Sequence, residues 1–285
     1  MAKYPYRLVD VFTNTPLAGN QLAVFTSSEQ IPEHLLQPIA KEMNLSETVF
    51  LFPPDDGGDR RVRIFTTDVE LPFAGHPILG TACVLSHETL KTPGTAILET
   101  GKGSVSVSLT TERGCFTGWM DQPIPTILSW DRTSELLELL GVDHSVLPVE
   151  LYDNGVPHLY VMFETITQVE NYRPDFKALG SVLGGPRLNC FSGGNGTYIT
   201  RMFSPFEKAM PEDPACGSAA GPLAAHVVRH GLERSETQIQ LAQGAQVGRP
   251  STLYATADID DGNISRVQVG GHAVVVGEGR LTLPD

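Results

Sequence analysis

Short apolar runs separated by Gly, Pro and polar clusters make up most of this chain. Residues 6–12 alternate and are rich in Val and Phe, which predicts a strand. Pro16 and the Gly19-Asn20 pair predict a turn, so residues 22–25 return as the second strand of a hairpin-like opening. Leu35, Leu36, Ile39 and Met43 recur at helical spacing, and Pro32 suits the first turn of a helix over 32–43. A strand over 49–52, a polar loop over 53–59 and a strand over 61–66 follow. Residues 70–80 read as a loop running into an apolar helix that ends near His87. Residues 95–109 predict a strand pair around Gly101 and Gly103, and 134–140 a short helix stopped by Gly141.

The second half replays the first. LYVMF at 159–163 follows a turn as LAVF at 22–25 does. Arg63-Ile64-Phe65-Thr66 returns as Arg201-Met202-Phe203-Ser204. Ala74-Gly75-His76-Pro77-Ile78-Leu79-Gly80 returns as Ala215-Cys216-Gly217-Ser218-Ala219-Ala220-Gly221, at an offset three residues longer. Each block opens a helix after a strand. One duplication of such long period predicts two similar α/β domains, 1–125 and 126–285, with the last strand able to return to the first domain. Two like domains also suggest one site between them.

Composition narrows the partners. A net charge of −13 argues against general nucleic-acid binding, which needs a basic surface. The first residues lack the apolar stretch of a signal peptide, and no run approaches the ~18 apolar residues of a membrane span, so a cytoplasmic protein is expected. Cys83, Cys115, Cys190 and Cys216 form no CxxC or CxxH pair, so free thiols are expected and a zinc site is not. GxGxxG, P-loop, HExxH and GxSxG patterns are missing, and nothing in the sequence calls for a nucleotide, flavin or metal.

Candidate chemistry gathers around the two helix-opening blocks. Residues 202–221 bring Glu212, Asp213 and Cys216 to the start of a small-residue helix, where free N–H groups can hold an anion and the helix field favours thiolate and carboxylate. Asp213 can cap that helix or orient His76. Ser218 can offer a hydroxyl to a substrate carboxylate and Gly217 permits close backbone approach; plain helix capping explains both equally. In the first block Pro77 suits the first helical position, which puts His76 at the cap as a neutral proton shuttle or a satisfied capping residue. Glu47, in a polar turn before an apolar strand, is either a positioned acid/base or a surface acid. Cys216 aligns with Gly75, so a symmetric two-thiol racemase pair is broken.

These stretches resemble a known family. Asn44-Leu45-Ser46-Glu47-Thr48, ELPFAGHPILGTA at 70–82, MFSP with EDPACGSAAGPLAAH within 202–226, GRPS at 248–251 and GNQLAVF at 19–25 are similar, in collinear order, to the phenazine-biosynthesis PhzF-like isomerases. The resemblance implies a diaminopimelate-epimerase-like fold of class α/β (α+β), with two similar domains each wrapping a sheet around a central helix. It implies a homodimer with no metal and no organic cofactor. The implied reaction moves a proton from C3 to C1 of a small cyclic carboxylate, trans-2,3-dihydro-3-hydroxyanthranilate. By motif, Glu47 is the acid/base, supported by His76 and Asp213, while Ser218 and the backbone near Gly75 and Gly217 hold substrate polar groups, with Asn20 lining the site. The chain departs from the phenazine enzymes in carrying Cys216 where they carry threonine. Racemases of the fold carry cysteine there, which leaves an amino-acid racemase using Cys216, or a non-catalytic binding protein, as alternatives.

Overall fold

The computed structural model describes residues 1–112, 115–207 and 210–283. The chain divides into two compact units, Met1–Asp121 with Gly270–Asp285, and Gln122–Val269.

The first unit opens with the expected hairpin, β1 (Ala2–Val11) antiparallel to β2 (Asn20–Phe25). Its turn is held by the Asp10 carboxylate, which accepts from the Leu17 N–H at 2.7 Å. Helix α1 (Glu33–Met43) buries Leu36, Ile39 and Ala40 and stops where Asn44 turns left-handed (φ 52°). β3 (Glu47–Phe52), β4 (Arg60–Phe65) and the two-residue β5 (Glu70–Leu71) lead to α2 (Gly75–Glu88), and β6 (Gly94–Thr100), β7 (Gly103–Glu112) and β8 (Cys115–Asp121) complete this pass. The last part of the chain belongs here too: residues 273–283 of β17 (Asn263–Leu283) pair antiparallel with β1. The sheet order is therefore β17-β1-β2-β3-β4-β6-β7-β8. Every α2 residue from Gly75 to Leu85 is buried, and the helix packs on β1, β2, β3, β6, β7 and β8. A helix apolar all round must be surrounded, and this sheet surrounds it. Below α1, Phe25 stacks on Phe50 at 5.1 Å and Phe65 meets Phe50 edge-on at 5.4 Å.

The second unit begins with β9 (Thr126–Leu128) and α3 (Thr133–Leu140). It continues through β10 (Glu150–Asp153), β11 (Pro157–Met162), α4 (Ile166–Asn171), α5 (Phe176–Leu183), β12 (Arg187–Gly194), β13 (Thr197–Phe203), β14 (Glu212–Asp213), α6 (Gly217–Arg229), β15 (Ile239–Gln243) and β16 (Ser251–Asp260). Its sheet order is β9-β10-β11-β12-β13-β15-β16. From β10 to β16 the pairings run antiparallel, parallel, antiparallel, parallel, antiparallel, the same series as from β1 to β7 in the first unit. The duplication read from short motifs is thus a repeat of topology. Buried α6 takes the place of α2 and packs on β11 and β16. A second cluster, built on Leu136, Leu159, Val161, Leu179 and Phe203, lies under α3–α5.

Candidate active site

In the first unit the parallel register of β2 and β3 places Leu22 opposite Glu47, so Asn20 and Glu47 stand at the same end of neighbouring strands. Helix α2 points its N-terminus at that end. Its cap is Ala74, and Gly75 and His76 are the first two helical residues. His76 is therefore inside the first turn rather than at the cap, and Pro77 is third rather than first. Proline still fits, because N–H groups of the first turn have no intrahelical acceptor.

The His76 Nε2 lies 3.4 Å from the Glu47 Oε2, with the two side chains 5% and 16% exposed. This is contact, but longer than a good hydrogen bond. The other ring nitrogen, Nδ1, lies 3.5 Å from the Asn20 Nδ2, and the Asn20 Oδ1 accepts from the Ser46 hydroxyl at 3.0 Å, which turns the amide donor toward the ring. Burial pushes the His76 pKa down to about 3, opposed by a backbone hydrogen bond at Gln21. A bond that favours the imidazolium must be to an acceptor, hence to the Gln21 carbonyl. The ring is neutral near pH 7, and burial, more than the helix field, makes it so. The ring thus has a donor at Nδ1, the Asn20 amide, and an acceptor in the Gln21 carbonyl. Nε2 can then donate to an ionised Glu47 or accept from a protonated one.

In the second unit β14 delivers Asp213 to the turn before α6. The Asp213 Oδ1 accepts from the Ala215 N–H at 2.8 Å, so it caps the turn just ahead of the helix, whose cap residue is Cys216. Gln243 braces the same turn: its Nε2 donates to the Asp213 carbonyl at 2.8 Å and its Oε1 accepts from the Cys216 N–H at 3.4 Å. The helix field was expected to favour charged forms here. Burial outweighs it. The Asp213 pKa rises to about 6, with Glu207 adding to the rise and the Ala215 N–H and Arg187 opposing it. The Cys216 thiol is pushed up to about 12, so it stays protonated.

Gly217 and Ser218 are the first two residues of α6. The Ser218 Oγ lies 2.9 Å from the His158 Nε2 and 3.3 Å from the Cys216 Sγ. Pro222 has no N–H for the Ser218 carbonyl four residues earlier, and the Asn154 Nδ2 donates there instead at 2.9 Å. Gln122 and Tyr160 donate to the adjoining carbonyls of Gly217 and Ala219 at 2.9 and 2.7 Å. Three side chains thus pin the first turn of α6.

The sequence reading passed over His158, Asn154, Gln122 and Gln243. His158, Asn154 and Gln243 stand in no recognised motif, and the reading gave Gln122, within the family-like stretch DQPIPT at 121–126, no role. It also passed over a His-x₃-His spacing on α6, which is a visible signal. His226, His230 and Glu150 bring ligand-type atoms within 4.8 Å of one another. The Glu150 Oε2 already accepts from Arg229 and from the Tyr152 hydroxyl, both at 2.8 Å, and lies 3.0 Å from the His230 Nε2. The Arg229 guanidinium already engages this carboxylate, and the bonds around Glu150, that of His226 contributing most, hold its carboxyl far below the usual carboxylate range.

Two duplicated sheet-and-helix units, with polar groups at the N-terminus of each buried helix, define a diaminopimelate-epimerase-like protein. The chain matches the phenazine biosynthesis-like protein family over residues 9–279 and belongs to it. It is 41% identical over 279 residues to the trans-2,3-dihydro-3-hydroxyanthranilate isomerase of Pseudomonas fluorescens, covering 98% of this chain and 99% of that one. Identity to the isomerase of the same name from Pseudomonas aeruginosa is 42%, with the same coverage. The crystal structure of a phenazine biosynthesis protein of the PhzF family from Bacillus anthracis matches with a TM-score of 0.88 at 22% identity, covering 99% of this chain and all of that one. Among the described residues no helix is long and apolar enough to cross a membrane.

Proposed function

We propose that this chain is an isomerase that moves a proton from C3 to C1 of trans-2,3-dihydro-3-hydroxyanthranilate, with Glu47 as the acid/base. The observation that carries the reading is the Glu47 carboxylate 3.4 Å from the Nε2 of a buried, neutral His76 that has both a donor and an acceptor partner of its own. Such a pair takes up a proton and gives it back without leaving a charge stranded. When Glu47 is ionised, His76 donates to it. When Glu47 holds the substrate proton, the ring accepts.

The substrate chemistry fits these groups. Removing the C3 proton leaves an electron pair that the ring double bonds carry to C1, where the proton returns. C3, which bears the hydroxyl, becomes an enol carbon and then a ketone. Negative charge developing next to the C1 carboxylate calls for donors, and the reading assigns Ser218 and the N–H groups near Gly75 and Gly217 to it. Asp213 takes a substrate polar group. The substrate itself rests on the isomerases that share about two-fifths of this sequence over nearly their full length. The homodimeric, cytoplasmic working form implied by the family resemblance belongs to the same reading.

Incubation with the substrate in deuterated water, followed by NMR, tests the proposal. Deuterium is expected at C1, and Glu47→Gln should lower the rate by ~10²–10⁴. Cys216→Ala should keep most of the activity, since its thiol is held protonated. Unchanged turnover in Glu47→Gln would overturn the assignment. Loss of α-proton exchange in Cys216→Ala alone would favour a thiol racemase.

A further inference from the structure

The hydrogen of the Ser218 hydroxyl has its direction set from behind. The Asn189 Nδ2 lies 3.3 Å from the Leu159 carbonyl and 3.3 Å from the His158 Nδ1. A carbonyl only accepts, so the NH₂ end of the amide faces it, and the same nitrogen presents a hydrogen to Nδ1. Nδ1 is therefore an acceptor. His158 is fully buried and its pKa lies well below the ordinary value, with the Arg187 charge adding to the effect of burial. The ring is neutral and has one proton, which must be on Nε2. At 2.9 Å from Ser218, that Nε2–H donates and Oγ accepts. The serine's own hydrogen must point elsewhere, toward the weak acceptor Cys216 Sγ at 3.3 Å or toward a ligand oxygen.

The strands make this arrangement rigid. His158 is on β11 beside Arg187 of β12, and Asn189 stands two residues along β12 on the same face as Arg187. Arg187 is itself paired with Glu207 at 2.6 Å. The relay runs inward from the serine to an amide that is 1% exposed, so water does not compete for it.

We propose that Asn189 and His158 are positioning residues that hold the Ser218 hydroxyl as a hydrogen-bond donor to a substrate oxygen. This rests on the assignment of Ser218 to substrate binding under the proposed function. A serine free to rotate would face the substrate as donor or acceptor. One that already accepts from a fixed imidazole can only donate, which suits an oxygen gaining negative charge.

Two measurements test the relay. The first is independent of any substrate: NMR of protein labelled with ¹⁵N-histidine, the His158 signal being assigned by its loss in His158→Gln. The wild type should show the Nε2–H tautomer, and Asn189→Asp, which accepts from Nδ1–H, should convert it to Nδ1–H. A wild-type ring protonated on Nδ1 overturns the proposal whatever the substrate proves to be.

The second is kinetic, with melting temperatures recorded alongside. A glutamine amide reaches the place of imidazole Nε2, whereas an asparagine amide reaches only that of Nδ1. His158→Gln should keep kcat within about threefold of wild type, and His158→Asn should lose roughly tenfold or more with KM little changed. Asn189→Asp reverses the hydroxyl and should fall toward the level of Ser218→Ala, so it decides the matter if His158→Asn does not fold. If both His158 variants and Asn189→Asp turn over like wild type while Ser218→Ala is slow, the relay is wrong and the Ser218 assignment stands. Wild-type kinetics in Ser218→Ala overturn both. Equal loss in His158→Gln and His158→Asn marks His158 as a packing residue only.

Discussion

Asp213 and Cys216 show how opposing effects rank at one helix terminus. Helix field and nearby N–H groups favour negative charge, yet burial raises both groups, Asp213 to about 6 and Cys216 to about 12. The sign for stability follows. A carboxyl whose folded pKa exceeds its unfolded 3.8 binds more protons folded than unfolded between those values, so its contribution falls as pH rises toward 6. Asp213→Asn removes that titration. The melting-temperature difference, wild type minus Asp213→Asn, should therefore grow as pH is lowered from 7 to 4, and thermal melts across that range check it. A flat difference would place the Asp213 pKa at its ordinary value. His76 and Ser218 stood out in the sequence because two blocks repeat around them, Asp213 as an acid just ahead of the second block, and Glu47 by its polar turn before a strand and its place in a family motif. Their protonation did not, because it depends on what surrounds them. His158 and Asn189 were illegible for a related reason: thirty residues and two helices separate them in the chain, and only the parallel register of β11 and β12 makes them neighbours.

At the scale of elements, the two central helices must approach their strands closely to be enclosed. Gly80 of α2 and Gly221 of α6 hold equivalent places in the repeat. A Cβ on Gly80 would run into the side chains of Leu22 and Val11, and one on Gly221 into those of Gln122 and Val267. Alanine at either place overpacks the helix–sheet contact and should cost about 1–3 kcal/mol, measured by urea unfolding. Both should be felt, because each clash includes side chains locked in the core, Leu22 and Val11 for Gly80 and Val267 for Gly221. Helix identity was readable from apolar spacing and from Pro32, Pro77 and Gly141. Helix starts were less so. Proline is tolerated anywhere in a first turn, so Pro77 could not say whether His76 or Ala74 is the cap. The short β5 and β14 carry no pattern of their own, and they form only because β4 and β13 offer them an edge.

At the scale of the molecule, the duplication is complete at the level of strand order, although the motifs that revealed it cover few residues. Repetition of motifs could not say where the chain returns to the first unit, since that crossing lies inside one continuous strand and its Gly270-Gly271 pair does not break it. Here it falls within β17, whose residues 273–283 cover the whole outer edge of β1. A chain ending at Val269 would leave that edge unpaired from Ala2 to Val11. Such a truncation should aggregate, or yield a first unit open to limited proteolysis beside a protected second one. Full protection of residues 1–121 in the truncated chain would show the part of β17 beyond Val269 to be dispensable.

That strand also orders events during synthesis. Translation delivers the chain from its N-terminus, and domains tend to fold as they emerge. The first unit has most of its residues early, but the strand that closes it is made only after every residue of the second. On the ribosome the later unit is the first that can be finished. The earlier one must wait throughout with an unpaired edge in a crowded cell, exposed to chaperones and to its neighbours on the same message.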